Sequence, residues 1–287
     1  MAIRNPVEWT VDQLKNITHH TASIARSLAG DEVVGPEELP VVNRIHVLDI
    51  KDAIAKGFDD FKACRTDVLM LSVIYPVAGL VLWWTVSNYN LLPLLFPIAS
   101  GFALLGPVAA VGLYEMSRQR EAGKNVSWVD AFNVVQSPAF GSIVVLGLIL
   151  VAIFLFWLAV AHSIYLAFLG PDMPASATAF LNQVFSTKAG WMMAITGIGV
   201  GFLFAVLVLA ISAVSFPMLL DRHAGLAAAV VTSVRTVLAN PVPMAVWGLI
   251  VAGGLVAGSI PLFLGLVVVV PVLGHATWHL YRKLVAR

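Results

Sequence analysis

Two imidazoles four residues apart are the strongest chemical signal in this chain: His275 and His279, in the stretch GHATWHLYR that begins at Gly274. Side chains at i and i+4 share a helix face, and two such histidines can hold one divalent metal, as the zinc-binding HExxH helix does. Here Ala, Thr and Trp intervene, so the glutamate base of that motif is missing. Further ligands have to come from other elements. Glu115, Asp221 and His223 stand at the ends of apolar segments at similar depth and complete a candidate polar or ligand cluster with His275 and His279. The competing reading, and the preferred one, makes Trp278, Tyr281, Arg282 and Lys283 membrane-interface anchors, with aromatic rings at the headgroups and long cationic side chains reaching the phosphates. A third arrangement pairs His275 with Glu115 or Asp221 to fix helix packing without chemistry.

Other chemistries are poorly served. Cys64 is the single cysteine, so no disulfide, cysteine-based zinc site or iron–sulfur cluster can form within the chain. There is no phosphate-binding glycine loop, no GxSxG elbow and no HExxH. His19 and His20 are adjacent and cannot share a helix face, His46 has no partner at recognisable spacing, and His162 falls at the end of an apolar run. No cofactor and no enzymatic activity are expected. The apolar runs carry Ser72, Thr85, Ser100, Thr196, Ser212 and Ser215, but no Asp, Glu, Lys or Arg near any midpoint. Intramembrane ionisable residues mark ion and proton pathways, so active transport is disfavoured.

The elements that must position these residues are membrane helices. Hydrophobic residues make up 59% of the 287, and charged residues 11%, against about 25% in a soluble domain. Runs of about 18 or more apolar residues span a bilayer as helices. The sequence therefore predicts an all-α, polytopic transmembrane bundle of about six spans, near 68–86, 91–114, 139–165, 190–220, 243–258 and 259–280. Residues 67–287 form this transmembrane domain and residues 1–66 a cytoplasmic N-terminal segment with amphipathic helices. The opening MAIRNPVEWTVDQLK lacks the apolar core of a signal peptide, so the first span is expected to direct insertion.

Basic residues lie on one side of that map. Lys56, Lys62 and Arg65 precede the first span; Arg118, Arg120 and Lys124 follow the second; Arg222 and Arg235 follow the fourth; Arg282, Lys283 and Arg287 close the chain. The opposite side has Lys188 alone. The positive-inside rule then places both termini in the cytoplasm and requires an even number of spans, which agrees with six. The expected location is the bacterial inner membrane. The net charge of +1 suggests no nucleic-acid partner.

Within the N-terminal segment, 7–28 reads as one amphipathic helix and 31–44 as a linker broken by Gly and Pro. Asp49 is expected to cap a second helix in which Ile50, Ile54, Phe58 and Phe61 recur at helical spacing, suited to the membrane surface. A weak internal repeat also stands out. Arg120-Glu121-Ala122-Gly123 and Arg222-His223-Ala224-Gly225 each precede a short amphipathic stretch ending at a proline, Pro138 or Pro241. In the first, Ser127 and Asp130 have capping-box spacing and Trp128, Phe132 and Val135 share a face; in the second, Leu226, Val230, Val234 and Val237 do. Both are expected to be interfacial helices of two related halves.

The ending VVVVPVLGHATWHLYRKLV, with VLDIKDAIAKGFDDF upstream, resembles a bacterial integral-membrane family of unknown function whose members are often labelled cytochrome c oxidase subunits. The resemblance covers about residues 43–285 and brings no catalytic residues. A catalytic haem–copper subunit needs histidines deep in several helices, and this chain has none there. The expected function is a noncatalytic accessory, assembly or scaffold protein, associated with a respiratory or photosynthetic membrane complex, with membrane lipids as the certain partners. The alternatives are a small-molecule or lipid transporter or channel, and a metal- or haem-binding protein using His275 and His279.

Overall fold

Apolar runs in this chain become helices because a helix satisfies every backbone polar group within one segment, which lipid requires. The computed structural model describes residues 39–64, 77, 79–80, 84, 92–172, 174, 176–222, 224–261 and 263–286, without the side chains of Phe102 and Trp128. Its helices are α1 (Val47–Ala63), α2 (Leu95–Leu104), α3 (Gly106–Ala109), α4 (Val111–Glu121), α5 (Phe140–Leu169), α6 (Ala177–Ser186), α7 (Lys188–Ser212), α8 (Ser215–Arg222), α9 (Leu226–Ala239), α10 (Pro241–Ser259) and α11 (Leu266–Leu284). Two 3-10 helices, Leu92–Leu94 and Trp128–Gln136, also occur among the described residues. Phe140–Leu169, Lys188–Arg222 and Pro241–Ser259 are long and apolar enough to cross a membrane. The chain is an all-α membrane helical bundle. The expected first span, the helix at 7–28 and His223 lie outside the described residues, apart from isolated positions in 68–86.

Prolines explain where the expected spans break. The second, read as continuous over 91–114, interrupts at Leu105 and Ala110, with Pro107 in the first turn of α3. Proline has no N–H to give and its ring crowds the carbonyl four residues back. Pro217 does the same to the fourth: α7 stops at Ser212 and α8 starts at Ser215. Hydroxyls repair that break. Ser233 Oγ accepts the Val214 N–H at 3.2 Å, and the Ser215 hydroxyl is shared between the Ile211 and Ala229 carbonyls at 2.6 and 3.1 Å. α9 buries Ala228, Ala229, Thr232, Ser233 and Thr236 on this side, and of these Ser233 and the Ala229 carbonyl take part in the repair.

Small residues set the helix spacing. A Cβ at Gly101 would stand 2.2 Å from the Phe154 ring, and one at Gly201 3.1 Å from Trp157. Trp157 is thereby buried between α2 and α7, its Nε1 donating to the Pro97 carbonyl at 3.0 Å. Of the two GxxxG pairs, Gly254 and Gly258 face α11, whereas Gly197 has open space beside it.

The amphipathic elements differ instructively from their sequence patterns. The N-cap of α1 is His46, and Asp49 sits three residues in, accepting the His46 N–H at 2.8 Å. The buried face of α1 is Ile50, Ala53, Gly57 and Asp60, while Phe58 is 42% exposed. The small face, rather than the aromatic one, meets the protein. A Cβ at Gly57 would lie 2.6 Å from the Ala276 backbone nitrogen, so α1 and α11 run antiparallel nearly backbone to backbone. The first repeat stretch is a 3-10 helix whose start is capped by Asp130, with Val129, Phe132 and Val135 outward and Ala131 and Val134 inward. The second, α9, is a regular α-helix. α6, capped by Ser176, was not indicated by hydropathy.

A strap closes the assembly at the end where α1 lies. Val42 bridges to Val285 antiparallel, the Asn43 N–H donates to the Leu284 carbonyl at 2.8 Å and the Ala286 N–H to the Val41 carbonyl at 3.0 Å. Asn240, 2% exposed, accepts the Ile45 N–H at 2.8 Å and donates to the Asn43 carbonyl at 3.0 Å.

Candidate functional site

Where α1, α4, α8 and α11 converge, the bundle encloses a polar junction centred on Asp60. One of its oxygens, Oδ2, accepts from Ser117 Oγ at 2.7 Å and from His279 Nε2 at 2.8 Å; the other, Oδ1, accepts from Arg120 Nη1 at 2.8 Å. The carboxylate can only accept, so His279 carries its proton on Nε2. The single proton of Ser117 goes to Asp60, so Ser117 must accept from His275 Nδ1, 2.7 Å away. The order along the chain of bonds is therefore His275, Ser117, Asp60, then His279 and Arg120 together. His275 is fully buried and its Nε2 has no hydrogen-bond partner. The Leu113 carbonyl lies beside the ring without completing a bond of ordinary geometry.

A second set of pairs surrounds the first. Tyr281 donates to Asp221 at 2.7 Å, and Arg282 bridges Asp221 and Glu121 at 2.8 Å each. Trp278 Nε1 donates to Glu121 at 3.0 Å, and Arg222 donates to the Ala286 carbonyl. Lys283 Nζ is 3.0 Å from both Asp49 and Asp52; the His46 N–H and then Lys283 hold the Asp49 carboxyl low, and Lys283 holds that of Asp52 low. Glu115 is buried but faces another way, held bidentately by Arg118 at 2.7 Å and by Gln119 at 2.8 Å.

Of the residues read from sequence, the structure brings His275 and His279 into one network through Ser117 and Asp60. Neither Glu115 nor Asp221 bonds to His275, and His223 lies outside the described residues. Trp278 and Tyr281, expected at the headgroups, are buried against internal carboxylates because α1, α4 and α8 cover the last turns of α11. Lys283 and Arg282 likewise point to protein carboxylates. Sequence reasoning missed Asp60, Ser117, Arg120 and Glu121. One signal was present for Asp60: it continues the small-residue face of Ala53 and Gly57, and a carboxylate on such a face needs a protein partner. Among the described residues no three of His, Cys, Asp and Glu come together to hold a metal ion.

The junction is thus a helix-locking network with one orphaned imidazole nitrogen, set at the end of a membrane bundle. Residues 95–221 match the family model described as "Predicted integral membrane protein (DUF2189)", an uncharacterised membrane family. No curated protein and no solved structure matches the chain.

Proposed function

We propose that this protein is a noncatalytic accessory, assembly or scaffold component of a larger membrane complex. The observation that supports it most directly is the unequal burial of the long helices. In the most apolar window of Lys188–Arg222 only 6% of residues are buried within the chain, against 33% for Phe140–Leu169. Ile195, Ile198, Phe202 and Leu203 of α7 are all exposed, and Gly197 leaves room for a close neighbour. Small and apolar residues on one span are what partner helices in a membrane pack against. The charged side chains, by contrast, are mutually paired at the junction, where they hold helices together.

Extraction in a mild detergent at native expression is expected to recover the protein in a larger assembly. A monodisperse free species under those conditions would remove this reading. A second reading, metal or haem ligation, draws on the unpartnered Nε2 of His275. The absence of both a Soret band and stoichiometric metal in purified protein would end it.

A further inference from the structure

Facing away from the junction, α4 forms one wall of a second polar feature, a hollow of about 290 Å³ open to one side. We propose that this hollow binds the phosphate of an anionic phospholipid headgroup. Its depth supports this assignment. Ser137 and Pro138, which immediately precede the apolar span α5, form one side, and Leu220, at the far end of the fourth apolar segment, forms another. A hollow framed by the ends of membrane helices stands at headgroup level. The neighbouring 3-10 helix turns Val129, Phe132 and Val135 outward, with Phe132 54% exposed, as an interfacial helix does when its apolar side enters the acyl boundary.

The lining chemistry selects the ligand. Glu115 is spoken for by Arg118 Nε and Nη2 and by Gln119, and Arg118 Nη1 takes no part in that pair. Lys124 is a second cation, and because Arg118 and Glu115 offset each other, the lining keeps one net positive charge. Around them stand donors suited to phosphate oxygens: the Gln136 amide, the second N–H of the Asn133 amide, whose first goes to Asp130 at 3.0 Å, and the Ser137 hydroxyl, which accepts the Ala139 N–H at 3.2 Å and retains its own proton to give. A headgroup phosphate is the anion available at this depth in every bilayer.

The test uses full-length protein, washed free of lipid in mild detergent and mixed with phosphatidylglycerol or phosphatidylcholine of matched chains, with bound lipid counted by native mass spectrometry. Phosphatidylglycerol is expected to be retained preferentially. Lys124→Gln, at an exposed position, is expected to weaken that retention roughly fivefold, the factor for one cation near an anionic surface. Lys56→Gln, a cation elsewhere on the surface, should leave it unchanged. Equal retention of the two lipids, or a preference that Lys124→Gln leaves intact or Lys56→Gln reduces equally, overturns the proposal. Displacement of bound phosphatidylglycerol by inorganic phosphate also overturns it, by assigning the hollow to free phosphate.

Discussion

At the scale of single residues, Ser117 is the hinge of the junction, because one hydroxyl serves as acceptor for His275 and donor for Asp60. Ser117→Ala strands a buried imidazole N–H and removes one of the three side-chain donors on the carboxylate. Leaving such groups unpaired costs about 1–3 kcal/mol, which should appear as a lower unfolding midpoint in detergent. Ser163→Ala, at an exposed helix position, should shift it far less. Asp60 also has a defined pH response. Burial pushes its carboxyl up, but hydrogen bonds from His279 and Ser117 outweigh this and hold it below the usual carboxylate range. The stabilisation is therefore complete above the unfolded value of about 3.9 and is lost as pH falls through the lower folded value. Between about pH 5 and pH 3, wild type should lose more stability than Asp60→Asn. Equal losses would show that Asp60 is not ionised in the folded state.

At the scale of elements, α1 docks through what it lacks. Its aromatic residues suggest a surface-lying helix, yet Gly57 and Ala53 let it press against α11, and Asp60 is delivered to the network by that approach. Gly57→Ala places a methyl 2.6 Å from the Ala276 nitrogen, a backbone atom that cannot move aside. Overpacking of this kind costs about 1–3 kcal/mol, although alanine is the better helix former. Hydrogen exchange over 47–63 should accelerate in this variant, and little in Phe58→Ala. The Lys283 pairs with Asp49 and Asp52 are half-exposed and are worth at most about 1 kcal/mol, so α1 depends on close packing and the Asp60 bonds instead.

At the scale of the whole molecule, the strap sets a topological constraint. Residues 41–43 pair with 284–286, so the expected even number of spans predicts that both stretches face one compartment. Reporter fusions placed after Lys124 and after the last residue should report the same compartment, the cytoplasm, and a fusion near residue 174 the opposite one. Differing reports from the first two would break the reading of the spans.

Hydropathy alone determined the class of this protein, because lipid solvation acts on each segment independently of its neighbours. Three of the expected segments overlap helices long and apolar enough to cross a membrane, Phe140–Leu169, Lys188–Arg222 and Pro241–Ser259, while α11 starts at Leu266, several residues after the expected bound. Only the tertiary structure decided what His275 touches. Asp60 and Ser117 are 57 residues apart, and His275 a further 158 along, so their meeting depends on how α1 and α4 approach α11. That approach is set by Gly57 and Gly274, where a Cβ would strike Ala276 and Leu113. Glycine leaves no hydrophobic signature in a sequence, and so the face that organises the site was the one the pattern of large apolar residues concealed.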